Sequence, residues 1–169
     1  MAFLLAAITC APAAAHALSL NIIASMAFGK IDYAPPLTGN ISMGTNGSIS
    51  YGTAYSGSGS GTAGQIEIQD SNGTVVEVSC ANGTLAHSGG GTLTLTTTVV
   101  VGSSNVANYG TNPTCNGLGS TILTHTIVSG AANNTIYVGG RLTPSSLVGG
   151  GFSTATSGGQ AIQFQVVVQ

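Results

Sequence analysis

The C-terminal segment of the chain has the most regular alternation of apolar and polar positions. Residues 161–169 read AIQFQVVVQ, with glutamines between the apolar side chains on one face, which are Ile162, Phe164, Val166 and Val168. A period of two places alternate side chains on opposite faces of a β-strand. We therefore predict a C-terminal strand whose four apolar residues face a core.

Similar short segments recur along the chain from Leu18 onward and are separated by clusters of Gly, Asn and Ser. No segment shows the apolar spacing of a helix. The predicted strands or apolar pieces cover residues 18–23, 26–31, 47–52, 65–69, 76–80, 92–101, 121–128, 135–142 and 161–169. Eight or nine short strands with turn signals between them are typical of two packed sheets. The pattern therefore predicts an all-β fold, a two-sheet β-sandwich, in a single domain over residues 18–169.

Glycine-containing signals predict how these strands are connected. Asn72-Gly73 lies between two alternating segments and predicts a hairpin that pairs 65–69 with 76–80. Residues 56–61 read SGSGSG and predict a flexible loop with nothing to bury. The Gly139-Gly140 pair inside a strand predicts a β-bulge.

The composition excludes several classes of function. Among 169 residues, Lys and Arg together number 2 and Asp and Glu together number 4, so only 4% of the residues are charged. Two cations cannot neutralise a run of phosphates, which argues against nucleic-acid binding and a polybasic membrane anchor. Phosphate loops, nucleophile elbows and metal-ligand spacings are also absent from the sequence. We therefore predict a protein that is not an enzyme and that has no cofactor and no metal.

Individual polar residues have a more ordinary interpretation than a catalytic one. Glu67 and Glu77 fall on polar positions of their strands, where charge protects strand edges from aggregation, although a carboxylate pair for glycoside chemistry is the alternative. His125 lies in the middle of a predicted strand and is interpreted as a sheet histidine rather than a metal ligand or a base.

Residues 1–17 have the features of a secretory signal peptide. An apolar run is followed by small residues, and two cleavage sites fit, after Ala15 and after Ala17. The run is shorter than the roughly 20 residues that a transmembrane helix needs, so we predict no transmembrane span. We expect a secreted protein of the periplasm or the cell surface.

Removal of this leader leaves two cysteines, Cys80 and Cys115. An even pair in an exported chain indicates one disulfide bond. Zinc binding has little support, because neither cysteine has a second ligand at metal-site spacing, and a nucleophilic cysteine would need a histidine that the sequence does not place nearby.

Several segments together resemble a known family. They are GQIEIQDSNGTVVEVSC (64–80), TIYVGGRLTPSS (135–146), the apolar-Phe-Gly piece MAFGKI (26–31) and the closing AIQFQVVV (161–168). The chain resembles a family of secreted bacterial domains of uncharacterised function, which is similar in turn to spore-coat-protein-U-like domains and archaic chaperone-usher pilins. The resemblance spans most of residues 18–168.

The resemblance implies an immunoglobulin-like sandwich that polymerises by β-strand complementation, in which a strand of a neighbouring subunit fills a gap. The implied partners are other copies or related subunits, with a periplasmic chaperone and usher. Leu18, Leu20 and Ile22 are the candidate donor residues, or they form the chain's own first strand. The sequence departs from the pilin pattern at its end, where Gln169 stands instead of an aromatic residue.

Two hypotheses of function follow. The first is a structural or adhesive cell-surface protein, a subunit of a pilus, fimbria or other filament, or of a coat. The second is a monomeric binding module, for instance for carbohydrate, using tyrosines in or near loops and strand ends, which are Tyr33, Tyr51, Tyr55 and Tyr109. Five asparagines begin Asn-x-Ser/Thr triplets and would be glycosylated only in a host with that machinery: Asn40, Asn46, Asn72, Asn82 and Asn133.

Overall fold

The computed structural model describes residues 18–33, 39–58, 61–102, 107–144 and 149–169, so the predicted leader lies outside the described residues. The described residues form thirteen strands and one turn of 3₁₀ helix at Ala131–Asn134. The strands are β1 Ser19–Ala24, β2 Lys30–Tyr33, β3 Ile41–Met43, β4 Ile49–Tyr51, β5 Tyr55–Ser58, β6 Gly64–Gln69, β7 Val75–Ala81, β8 Gly83–His87, β9 Thr92–Val101, β10 Leu123–Thr126, β11 Thr135–Pro144, β12 Phe152–Ser153 and β13 Gln163–Val168. None of the described residues belongs to a helix that is long and apolar enough to cross a membrane.

Two sheets carry most of these strands, and every pairing is antiparallel. The larger sheet has the order β1-β6-β11-β9-β8-β12, with β3 beside the second half of β11 and β4 beside β3. The smaller sheet has the order β10-β7-β13. A separate ribbon pairs β2 with β5.

The two sheets share a core, as expected for an all-β protein built from packed sheets. Ile68, Val99 and Ile136 from the larger sheet pack with Val76 and Val78 from the smaller one, and all five side chains are buried. A second cluster lies between the larger sheet and the chain around Phe28, where no strand of the smaller sheet reaches. The smaller sheet therefore covers only part of the inner face of the larger one.

The predicted hairpin at Asn72-Gly73 is wrong, although the turn is present. Gly73 has a φ of 88°, and its amide donates to the Ile127 carbonyl at 2.8 Å. The strands on either side belong to different sheets, because β6 pairs with β1 and β11 while β7 pairs with β10 and β13. A connection between sheets lets the apolar faces of both strands meet in the core, whereas a hairpin would have placed them side by side in one sheet.

The prediction of a loop at residues 56–61 is wrong for the first half of that segment. Ser56, Gly57 and Ser58 belong to β5 and pair with β2 through Asp32, Ile31 and Lys30. Main-chain hydrogen bonds need no large side chain, so a Gly-Ser segment can pair when a partner strand is held beside it. Short strands of this kind explain why thirteen strands are present and not eight or nine.

The Gly139-Gly140 pair does not form a bulge. The register between β11 and β9 is continuous from Ile136 to Pro144. The pair instead marks the point where β11 changes partner on its other edge, from β6 to β3. A Cβ on Gly139 would lie 2.5 Å from the Met43 carbonyl oxygen, so a glycine is required by the close approach of the chain that leaves β3.

The structure joins Cys80 and Cys115 in a disulfide bond, the pairing that the sequence predicts. Both residues are buried, with 0% and 4% of their surface exposed. The bond fixes the loop after β9 to β7, and the Cys115 amide also donates to the Thr97 carbonyl at 2.9 Å. The loop is thereby attached to both sheets.

Candidate functional site: an open apolar groove

The C-terminal strand β13 has one free edge among the described residues. It pairs with β7 on its other edge, and Gln169 continues that ladder by donating to the Val75 carbonyl at 2.9 Å. In an antiparallel strand the amide and carbonyl of alternate residues point to opposite edges. The backbone groups of Phe164, Val166 and Val168 therefore point away from β7, toward the free edge.

The side chains of β13 face the core as the alternation predicts. Phe164 and Val166 lie opposite the buried Cys80 and Val78, and they pack against the core cluster. Ile162 precedes the strand and contacts the same core, and Val168 at the far end is 46% exposed. One strand thus presents an apolar face and unpaired backbone groups at the same border of the smaller sheet.

Strand β1 forms the corresponding border of the larger sheet. Leu20 lies opposite the buried Ile68 and Ile22 lies opposite Ile66, so both side chains point to the inner side of the sheet. They are nevertheless 41% and 71% exposed. Inward-facing apolar residues can be this exposed only because no strand of the smaller sheet covers them.

An open groove of about 1290 Å³ lies between these two borders. Its floor is formed by residues of the inner face of the larger sheet, which are Ile66 and the nearly fully buried Val138, Leu95 and Leu142. Its walls come from β1 and the segment that follows it, from Phe152, and from the start of the C-terminal strand at Ile162 and Phe164. The groove is larger than the roughly 300 to 1000 Å³ of typical small-molecule pockets, and it is partly open to solvent.

The groove has almost no charge. Lys30 and Asp32 are the charged residues among the described residues that line it, and they form an exposed ion pair at 3.2 Å. An exposed pair of this kind contributes little to binding energy. The remaining lining is apolar or small, so the groove favours an extended, uncharged ligand.

The sequence predicts only part of this site. Leu20, Ile22, Ile162 and Phe164 line the groove, while Leu18 packs against the core and Val166 and Val168 lie further along β13. The segment from Ala24 to Asp32 and the residues around Phe152 were not predicted to contribute. Their only signal is a short apolar stretch such as Met26 to Phe28, which does not reveal what it will face.

The other polar candidates are not brought together at the groove. Glu67 and Glu77 lie on different sheets. Glu67 accepts a hydrogen bond from Gln69 at 2.9 Å, and Glu77 accepts from Thr121 at 2.9 Å and from the side chain of Gln169. His125 faces the same side as Val76 and shares a hydrogen bond of 3.1 Å with Asn134. Among the residues that the structure describes, no three His, Cys, Asp or Glu side chains are grouped so that they could hold a metal ion.

The tyrosine side chains that the structure describes do not form an exposed platform. Tyr55 is 7% exposed, and burial raises the pKa of its hydroxyl. Tyr51 packs against the second core cluster, and the ring of Tyr109 is stacked under the Arg141 guanidinium at 5.5 Å. The side chain of Tyr33 lies outside the described residues.

Comparison with protein-family models, with curated proteins and with solved structures gave no match for this chain.

Proposed function

We propose that this protein is an exported structural or adhesive subunit that assembles by strand insertion, with a strand of a second copy occupying the apolar groove. The groove between β1 and the free edge of β13 is the observation that carries the proposal. On this interpretation the fold is immunoglobulin-like with one strand position of the smaller sheet left open, and the inserted strand completes the sandwich.

A peptide strand suits the groove better than a lipid chain. The backbone groups of Phe164 and Val166 point to the free edge, and an apolar chain laid there would leave them without hydrogen-bond partners. A buried amide without a partner costs roughly 1 to 3 kcal/mol. An added strand would instead pair with these groups and place alternate side chains on the apolar floor.

The best donor in the described part of the chain is β1. Its sequence SLNIIA carries apolar residues at Leu20, Ile22 and Ile23, all more than 40% exposed. It pairs with β6 of its own chain in the structure, as a first strand. Because its side chains are poorly covered there, moving β1 into the groove of a neighbour would gain apolar burial, at the cost of its pairing with β6 and of one wall of its own groove.

The predicted export fits the chemistry of the core. The Cys80–Cys115 disulfide persists in an oxidising compartment. The same proposal includes the predicted leader at residues 1–17, a chaperone that protects the open groove before assembly, and an usher.

The test compares two lysine substitutions at exposed apolar residues. Ile22→Lys places a charge in the groove border, and Leu118→Lys is the matched control, because Leu118 is 48% exposed but does not line the groove. Both variants should fold like the unsubstituted protein, since neither residue is buried. Size-exclusion chromatography with light scattering and negative-stain microscopy then report the assembled fraction.

We expect the unsubstituted protein and Leu118→Lys to form oligomers or fibres, and Ile22→Lys to remain monomeric. A synthetic peptide of residues 18–24 should bind the monomer and prevent assembly. The proposal is wrong if the unsubstituted protein stays monomeric at high concentration and the peptide does not bind. The proposal also fails if Ile22→Lys assembles as well as the control.

A further inference from the structure

Arg141 lies on the outer face of the larger sheet, away from the groove. By register it is opposite Ser42 of β3 and Thr96 of β9, so these three side chains share that face. The next residues on the same face are Thr143 opposite Thr94 and Ser50 opposite Ser42. We call Arg141 and these five hydroxyl residues the Arg141 face.

Within the described ranges, the Arg141 guanidinium has no acidic partner. Its one contact of note is the ring of Tyr109, 5.5 Å from the ring centre to the guanidinium carbon. The Nε atom is shielded from solvent and has no hydrogen-bond acceptor among the residues that the structure describes. The positive charge of the guanidinium is therefore not neutralised by any described carboxylate.

The surrounding residues also have unused hydrogen-bonding capacity. Ser50, Thr94 and Thr143 are exposed, so their hydroxyls are accessible, and no carboxylate lies on the Arg141 face. Glu67, the acidic residue on the outer side of β6, is opposite Thr135, six residues before Arg141 along β11. At roughly 3.3 Å per residue this separation is about 20 Å, too far to neutralise the guanidinium.

We propose that the Arg141 face binds a carboxylate-bearing saccharide. A planar guanidinium matches a carboxylate through two parallel hydrogen bonds, which a lysine could not reproduce. Hydroxyls on neighbouring strands donate to and accept from the hydroxyls of a sugar ring. Tyr109 holds the guanidinium through its ring, so that the charge is positioned before the ligand arrives.

This site is separate from the groove, because none of the six residues of the Arg141 face lines it. The inference therefore goes beyond the proposed assembly. An assembled subunit with one such face would present many copies of a weak saccharide site, and repeated weak sites give a filament high avidity.

The experiment is calorimetric titration of the full protein with a tetrasaccharide of galacturonic acid. Arg141→Gln removes the charge, and Lys30→Gln is the matched control because it removes the other cation of the chain, which lies at the groove. A neutral galactose tetrasaccharide and free acetate separate the contributions of the ring and of the carboxylate. Thermal unfolding of each variant verifies that it is folded.

We expect the uronate tetrasaccharide to bind the unsubstituted protein and Lys30→Gln alike, and Arg141→Gln to bind it at least tenfold more weakly. Arg141→Lys should recover only part of the affinity, and Ile22→Lys should retain all of it. The proposal is overturned if the tetrasaccharide does not bind, if Arg141→Gln binds it equally well, or if acetate or the neutral sugar binds as tightly. If Arg141→Gln abolishes assembly and the uronate does not bind the unsubstituted protein, the guanidinium contacts a neighbouring copy and the saccharide site does not exist.

Discussion

The amide of Thr97 donates to the side-chain oxygen of Asn82 at 2.8 Å. Asn82 stands between β7 and β8, where the chain leaves the smaller sheet and enters the larger one. Its side-chain nitrogen donates to the Cys115 carbonyl at 3.3 Å. One amide side chain therefore connects the sheet crossing, the central strand β9 and the disulfide loop.

We expect Asn82→Ala to lower the free energy of unfolding by about 1 to 3 kcal/mol, because the amide of the fully buried Thr97 loses its acceptor. Asn82→Asp keeps an oxygen for Thr97 and loses only the donor to Cys115, so its cost should be smaller. Urea denaturation followed by circular dichroism measures both. Equal losses in the two variants would show that the Thr97 contact contributes nothing.

The close approach at Gly139 predicts that an alanine at this position destabilises the protein. A Cβ there would lie 2.5 Å from the Met43 carbonyl oxygen and 2.7 Å from the Gly44 carbonyl carbon, so the backbone must move. We expect Gly139→Ala to cost about 2 to 3 kcal/mol, in the range of overpacked cores. Gly149→Ala is the control, since a Cβ at that glycine meets no atom within 4 Å. A melting temperature that is equally unaffected in both variants would contradict this packing.

The buried hydroxyl of Tyr55 predicts a pH dependence of stability. Burial raises its pKa above the ordinary value near 10. The folded state holds the proton more tightly than the unfolded chain does. The resulting contribution to the free energy of unfolding is therefore fully present below pH 10 and is lost as the pH rises through the pKa of the folded state. The hydroxyl also has no hydrogen-bond partner in the described part of the chain.

Tyr55→Phe should therefore reduce the loss of folding stability at alkaline pH. It should also stabilise the protein by about 1 kcal/mol at neutral pH. Tyr137→Phe is the control, on the outer face opposite Gln65. Urea unfolding between pH 7 and 11 measures both effects. A variant as sensitive to alkali as the parent protein would show that Tyr55 does not titrate as described.

The orientation of the β13 backbone predicts different outcomes for proline at adjacent positions. Val166→Pro removes an amide that points to the free edge, whereas Gln165→Pro removes one that points to β7 opposite Ser79. We expect Val166→Pro to remain folded but unable to assemble, and Gln165→Pro to lose stability by about 2 kcal/mol or more. Chromatography and thermal unfolding of the two variants measure this difference. Normal assembly by Val166→Pro would exclude strand addition at this edge.

The alternation of apolar and polar residues along the chain was sufficient to predict several of the strands. The predicted strand at residues 92–101 coincides with β9, and the predicted C-terminal strand contains β13 with Phe164 and Val166 facing the core. Strands with many β-branched residues and a strict alternation are recognisable because the pleat imposes a period of two on each strand separately. The pairing of Cys80 with Cys115 followed from arithmetic once Cys10 is assigned to the predicted leader, because the two remaining cysteines permit a single bond.

Local pattern failed where the outcome depended on distant segments. The segments that contain Ile66 and Val76 both alternate apolar and polar residues, and a sharp turn lies between them. Nothing in these segments distinguishes pairing within one sheet from a connection between two sheets. The Gly-Ser segment at β5 becomes a strand only because Lys30–Tyr33 lies beside it. Hydrogen-bond pairing is a property of two segments, so a pattern read along one of them cannot specify its partner.

By itself the sequence determined that the chain is nearly uncharged, built from strands, and closed by one disulfide, since these follow from residue type and a two-residue period. Only the tertiary structure decided that the smaller sheet has three strands among the described residues and leaves Leu20 and Ile22 facing an open groove. It also decided that Arg141 lies among hydroxyls, with no described carboxylate beside it. Both outcomes depend on which strands become neighbours, and that choice is made by the burial of distant apolar faces against each other.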